Sequence, residues 1–107
     1  MTQNRGKEFE EAVKNLLDAH NLYWRRVDTY FCPNCSQIIN RNAAGLPDFI
    51  ILSPFLLWVE CKTGSSRLNE NQKEVKQRLE ERGQDYFVAR DDIDGLLEKI
   101  KNKKEAL

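Results

Sequence analysis

The chain predicts an α/β fold, a mixed four-stranded sheet flanked by helices in the order α-β-β-β-α-β-α. Three observations carry this. Gly45–Leu52 and Leu56–Lys62 read as two apolar strands joined by a short turn at Ser53, Pro54 and Phe55. A helical stretch from about Asn69 to Arg82 separates the second of them from a last short strand, Tyr86–Arg90, so that connection is a crossover. Amphipathic stretches stand near both ends of the chain.

The elements follow in order. From Arg5 to His20, Phe9, Ala12, Val13, Leu16 and Leu17 recur at helical spacing, and Asn21 ends the helix. Leu22–Tyr30 reads as the first strand, with Tyr23, Trp24, Val27 and Tyr30 supplying β-favouring bulk. Arg25 and Arg26 in it are candidates for phosphate contact, although two strand arginines more often form a solvated face. Residues 36–44 are polar and irregular, and Gly45 and Pro47 break structure before Asp48. After Lys62, a loop from Thr63 to Arg67 leads to the second helix, ended by Gly83. Asn69 with Gln72 three residues on is a capping-box pattern. Gln72, Val75 and Leu79 share the helix face that must pack on the sheet. Asp91 or Asp92 caps a last helix carrying Ile93, Leu96, Leu97 and Ile100 on one stripe, and the Lys-rich tail from Lys101 is expected to fray.

Composition sets bounds. At 107 residues the chain is expected to be one domain, residues 1–107, with one core. No apolar run reaches the roughly 18 residues of a membrane span, and no signal-peptide core is seen, so the expected location is cytoplasmic. Three cysteines argue against a disulfide framework. Seventeen basic and seventeen acidic residues give zero net charge, which excludes nucleic-acid binding by bulk charge alone but not by a local patch. The single histidine, His20, has nothing near it that suits nucleophilic catalysis.

The charges inside the apolar strands carry the chemistry. Alternation puts Glu60 and Lys62 on one face and Cys61 on the other. If Leu52 pairs with Leu56, Asp48 lies opposite Glu60 at about 5 Å between Cβ atoms, where like charges repel. A one-residue slip would separate them. Two carboxylates at that spacing with a lysine beside them suit a hard divalent cation, Mg²⁺ or Mn²⁺. Glu10 falls at the border of the first helix's apolar stripe; Glu8 and Glu11 are less favourably placed, and the choice among these acids stays open. Gln72 can reach the carboxylates from the first turn of its helix. Cys32-Pro33-Asn34-Cys35 is half of a zinc knuckle; with no second pair in the chain, either its other ligands come from a second copy or it is a tight turn carrying two reduced thiols and no zinc.

Pro47-Asp48 followed by Glu60-Cys61-Lys62 resembles the motif of the PD-(D/E)xK nuclease superfamily, which has a restriction-endonuclease-like fold. More closely, the chain is similar to stand-alone VRR-NUC domains, small nucleases of phage and bacterial proteins that also occur at the end of a larger DNA-repair nuclease. The opening helix with an acid after Gly6, the strand Gly45–Leu52, the Glu-Cys-Lys strand, the segment Leu68–Gly83 and the closing strand and helix carry the likeness over nearly the whole chain. The Cys32–Cys35 segment is an addition to the pattern.

The resemblance implies a metal-dependent DNA endonuclease. It implies Asp48 and Glu60 as ligands of Mg²⁺ or Mn²⁺, with the backbone carbonyl of Cys61 as a further one. It implies that Lys62 orients the attacking water and stabilises charge on the phosphate, that Glu10 assists the metal or the water, and that Gln72 completes the site. Stand-alone members look like homodimeric cutters of branched DNA, including four-way (Holliday) junctions, which places this chain in a host cytosol if it is phage-encoded. Within the enzyme class the rival substrates are flaps, nicks and linear duplex. Outside it, the rivals are a zinc-dependent nucleic-acid-binding module built on Cys32 and Cys35, and a structural subunit whose charges are surface features.

Overall fold

Phe9, Val13, Leu16 and Leu17 form the buried stripe of α1 (Arg5–Ala19) in the computed structural model, which describes residues 5–27 and 45–107. The helix stops as Asn21 turns to a positive φ of 57°. Asn21 N–H then donates to Asp18 O at 3.0 Å and Leu22 N–H to Leu17 O at 3.2 Å, and Leu17 and Leu22 are both buried. This is a Schellman ending with its usual apolar clasp. Leu22 therefore belongs to the core. The expected first strand is shorter at its start, and β1 spans Tyr23–Arg26. Residues 28–30, expected to continue it, lie outside the described residues, as do Cys32 and Cys35.

Four strands, β1, β2 (Phe49–Ser53), β3 (Leu57–Lys62) and β4 (Tyr86–Arg90), lie side by side in that order. The first two pairings are antiparallel; β3 and β4 run parallel, joined by the crossover helix α2 (Glu70–Glu81). With α3 (Asp94–Glu105) the order is the α-β-β-β-α-β-α that the periodicity predicts. Phe49 pairs with Val59, Ile50 with Trp58 and Ile51 with Leu57. One more step in that register sets Asp48 across from Glu60, as the hairpin reading expects.

The pleat divides the sheet. Phe49, Ile51, Leu57, Val59 and Ala89 are buried in one cluster with the apolar stripes of α1 and α3, and Cys61 is half-buried against it. Trp58, Glu60 and Lys62 point to the other face. There α2 approaches: its Gln72 meets both Glu60 and Lys62. Trp58 is held from the loop beyond α2, its indole N–H donating to Gln84 Oε1 at 3.0 Å.

Both ends of α2 follow from sequence. Asn69 Oδ1 accepts from Gln72 N–H at 2.8 Å, and Gln72 Oε1 accepts from Asn69 N–H at 2.9 Å, a reciprocal capping box. Gly83, at φ 76°, ends the helix with the same Schellman pattern as α1. Gly45 fixes where α2 lies. It has φ 83°, and a Cβ there would stand 2.7 Å from the backbone carbon and oxygen of Asn71. Residues 45–48, expected as the start of the strand, are instead an irregular segment ahead of β2, and it runs in direct contact with the first turn of α2. Gly45→Ala is expected to destabilise the fold by about 2 kcal/mol or more, through the left-handed backbone and the clash together. Urea unfolding of the two proteins measures it.

Two expectations for the last helix are corrected. Asp91 does not cap α3: its carboxylate accepts from Gly64 N–H at 2.7 Å and ties the loop after β3 to the end of β4. Asp92 Oδ1 accepts from Asp94 N–H at 3.0 Å, one residue before the N-cap position, which is Ile93. The Lys-rich tail does not fray at Lys101. The helix continues to Glu105 because Lys103 pairs with Asp85 and Lys104 donates to the carbonyl of His20 at 3.0 Å. Among the described residues, no helix is long and apolar enough to cross a membrane.

Candidate active site

Glu60 is the one charged side chain that is buried among the described residues, at 3% exposure. Burying a carboxylate is costly unless something pairs with it. One oxygen, Oε1, accepts from Gln72 Nε2 at 3.3 Å and has Lys62 Nζ at 4.0 Å. The other, Oε2, has no hydrogen-bond partner. Burial raises the Glu60 carboxyl first; the nearby Asp48 carboxylate adds to that, and Lys62 works against it. The result is a carboxyl pushed up to about 8. An opposite charge placed between the two acids would relieve both the burial of Glu60 and the repulsion from Asp48.

Asp48 is fixed by main chain. Its Oδ2 accepts from Cys61 N–H at 2.8 Å, so β3 itself orients the carboxylate toward Glu60. The Cys61 thiol points to the core, and burial, with Asp48, Glu10 and Glu60 adding to it, pushes it far above the usual thiol range. It is therefore neither a thiolate nucleophile nor a thiolate ligand at ordinary pH.

Lys62 is nearly buried, at 13% side-chain exposure, and donates to Gln72 Oε1 at 2.9 Å. That same oxygen closes the capping box. The two readings of Gln72 are thus one arrangement: the cap immobilises the amide, and the amide then holds Lys62 with its oxygen and Glu60 with its nitrogen. Gln72→Ala is expected to cost about 1 kcal/mol of stability, the usual worth of a helix cap, and to loosen Lys62 as well. The first is measured by urea unfolding and the second by the Lys62 ammonium signal in NMR spectra.

These groups stand at one end of the sheet in a cleft of about 720 Å³. Of the three α1 acids, Glu10 is half-buried on its wall and bonded to Arg26, Nη1 to Oε2 at 3.2 Å. Glu11 is exposed and pairs with Lys14 at 3.5 Å. Glu8 is exposed and not part of the wall. Lys7, Lys14, Arg26 and Lys62 bring positive charge to the same cleft, a local patch within a chain of zero net charge.

The structure therefore brings Asp48, Glu60, Lys62, Gln72 and Glu10 to one cleft, as predicted. Arg26 is the addition. Read as half of an arginine pair on a solvated face, it instead faces Glu10, whereas Arg25 stacks on the Tyr23 ring at 4.4 Å. Strand alternation was the signal, since it sends the two arginines opposite ways. Tyr86, at the start of β4, is not among the candidate residues that the sequence offers. Its hydroxyl is buried with no hydrogen-bond partner, and burial, then the charges of Glu60 and Asp48, raise it well above the usual phenol range.

The fit of a divalent cation can be judged on this geometry. No group of three His, Cys, Asp or Glu side chains stands ready-made as a metal cage among the described residues. Two opposed carboxyls, an orphaned oxygen on the buried one and a third carboxylate on the wall of the cleft are a hard-oxygen donor set with room for water. That set fits Mg²⁺ or Mn²⁺, which keep several waters and need one or two carboxylates. No family model matches the chain, and neither the curated proteins nor the solved structures yielded a match.

Proposed function

We propose that the cleft is the active site of a metal-dependent DNA endonuclease, acting as a homodimer on branched DNA such as a four-way junction. The observation that carries the metal-dependent site is Glu60: a buried carboxyl with an orphaned oxygen, opposite Asp48 and beside Lys62; the junction substrate and the dimer rest on the resemblance alone. A structural role gives no reason to keep a buried acid against a second acid, because an apolar residue of similar size would be at least as stable there.

A divalent cation held by Asp48 and Glu60 would supply Lewis acidity and a water of lowered pKa. The chain's own groups do the rest. Asp48, fixed by Cys61 N–H, and Glu60, fixed by Gln72, hold the donor oxygens still. Lys62, anchored by the capped amide of Gln72, presents a fixed positive charge where negative charge develops on the scissile phosphate. Glu10 stands on the wall as a further acid for the cation or the water. Lys7, Lys14 and Arg26 offer the backbone phosphates an electrostatic path. A second copy of the chain would place two such clefts about a two-fold axis and let two strands be nicked.

The test is cleavage of an end-labelled panel comprising four-way junction, flap, nicked duplex, linear duplex and single strand, with Mg²⁺, Mn²⁺ or EDTA. Paired symmetric nicks in the junction, absent in EDTA, are expected. Metal-dependent cutting confined to the other substrates would retain the active site and discard the junction. No cutting in any lane, with stoichiometric zinc in the purified protein, would replace the nuclease reading by the Cys32–Cys35 module.

A further inference from the structure

Arg26 is the last residue of β1 and pairs across the sheet with Phe49, next to Asp48. Its neighbour ties the two segments again, Val27 N–H donating to Asp48 O at 2.8 Å. The Arg26 side chain therefore starts beside the acid pair. Its guanidinium carbon lies 5.7 Å from the centre of the Phe49 ring, and its Nη1 reaches Glu10 on the opposite wall. The charge of Glu10 is felt by both Glu60 and Cys61, so Arg26 partly neutralises an acid within reach of the pair.

This ion pair is partly open to solvent. The two side chains are 38% and 23% exposed, and a pair so open to water holds weakly. A guanidinium fits a phosphate diester as well as a carboxylate, with the same forked geometry. Stacking against Phe49 keeps the head of Arg26 at the cleft whichever partner it has.

Resting on the nuclease reading above, we propose that Arg26 is a positioning residue that changes partner during binding. It holds Glu10 until a DNA strand enters, then transfers to a backbone phosphate, and the freed Glu10 carboxylate turns to the cation at Asp48 and Glu60. Cation and DNA then reinforce each other through Arg26, and the coupling is the same in both directions. The chain would bind its cation fully only when substrate is present.

The experiment is Mn²⁺ titration of the full chain, following free Mn²⁺ by electron paramagnetic resonance, with and without a short phosphorothioate single strand that resists hydrolysis. In the wild type the oligonucleotide is expected to tighten Mn²⁺ binding about fivefold. Arg26→Gln removes a positive charge from beside Glu10, so it is expected to bind Mn²⁺ about threefold more tightly without oligonucleotide and to gain nothing on adding it. Glu10→Gln, which leaves the Arg26 charge uncompensated, should bind Mn²⁺ no more tightly than the wild type without oligonucleotide and likewise gain nothing. Arg26→Lys, which keeps the charge, should behave as the wild type without oligonucleotide. Equal or weaker Mn²⁺ binding by Arg26→Gln, or undiminished tightening in Glu10→Gln, would overturn the exchange while leaving the cation site in place. If Arg26→Gln does not fold, Glu10→Gln decides alone. A wild-type chain that binds no Mn²⁺ would remove the nuclease reading itself.

Discussion

Replacing Lys62 with alanine is expected to slow DNA cleavage about a thousandfold while Mn²⁺ binding and folding persist. The lysine supplies one group, a fixed positive charge beside the acid pair, and supplies it where charge develops during attack on phosphorus. Its loss should therefore fall on kcat far more than on KM. The fold should survive because the oxygen that Lys62 leaves, Gln72 Oε1, still accepts from Asn69 N–H at 2.9 Å. Mn²⁺ binding should survive because Lys62 is a cation and no ligand; removing it makes the site more negative. Arginine should not restore the rate, since a planar fork cannot occupy the place of a compact ammonium held 2.9 Å from the Gln72 amide. Single-turnover rates for the three proteins, with Mn²⁺ titrations alongside, measure this. A rate within threefold of the wild type would exclude Lys62 from the chemistry.

The second large effect is on stability, and its sign follows from Glu60. Its carboxyl is raised in the folded protein from 4.5 to about 8, so between those pH values the folded chain holds a proton that the unfolded chain has released. The folded state is then favoured at the acid end and loses that advantage as pH rises. In EDTA the wild type should lose on the order of 3 kcal/mol of stability from this group between pH 5 and pH 8. Asp85, the other carboxyl with a clear shift, is lowered by Lys103 and titrates below this window, so it does not blur the effect. Saturating Mg²⁺ should restore stability at pH 8, by about 2.7 kcal/mol at a hundred times its Kd. Glu60→Gln should flatten the profile, melt higher than the wild type at pH 8 in EDTA, and ignore Mg²⁺. A wild-type profile parallel to that of Glu60→Gln would contradict the account.

Much of this was legible in the residues because two periodicities and a few stop signals settle it. The alternation in Phe49–Ser53 and Leu57–Lys62 allows one register that buries Phe49, Ile51, Leu57 and Val59 together, and that register puts Asp48 opposite Glu60. Asn69 and Gln72 announce their cap by spacing alone. What sequence did not yield depends on partners distant in the chain. The tail beyond Lys101 looks frayed until Asp85 and the carbonyl of His20 are found beside it. Asp91 looks like a helix cap until Gly64, twenty-seven residues earlier, claims its carboxylate. Arg26 looks solvated until Glu10, sixteen residues earlier, is brought across from α1.

The most direct measurement is cleavage of an end-labelled four-way junction by the wild type and Asp48→Asn, side by side in Mg²⁺ and in EDTA. Asparagine keeps the size of Asp48 and can still accept from Cys61 N–H, but it carries no charge for a cation. Cutting by the wild type in Mg²⁺, with none in EDTA and at least about a hundredfold less by Asp48→Asn, is the expected result. Cutting that survives EDTA, or that Asp48→Asn performs at the wild-type rate, would show that the acid pair is not the reactive centre of this protein.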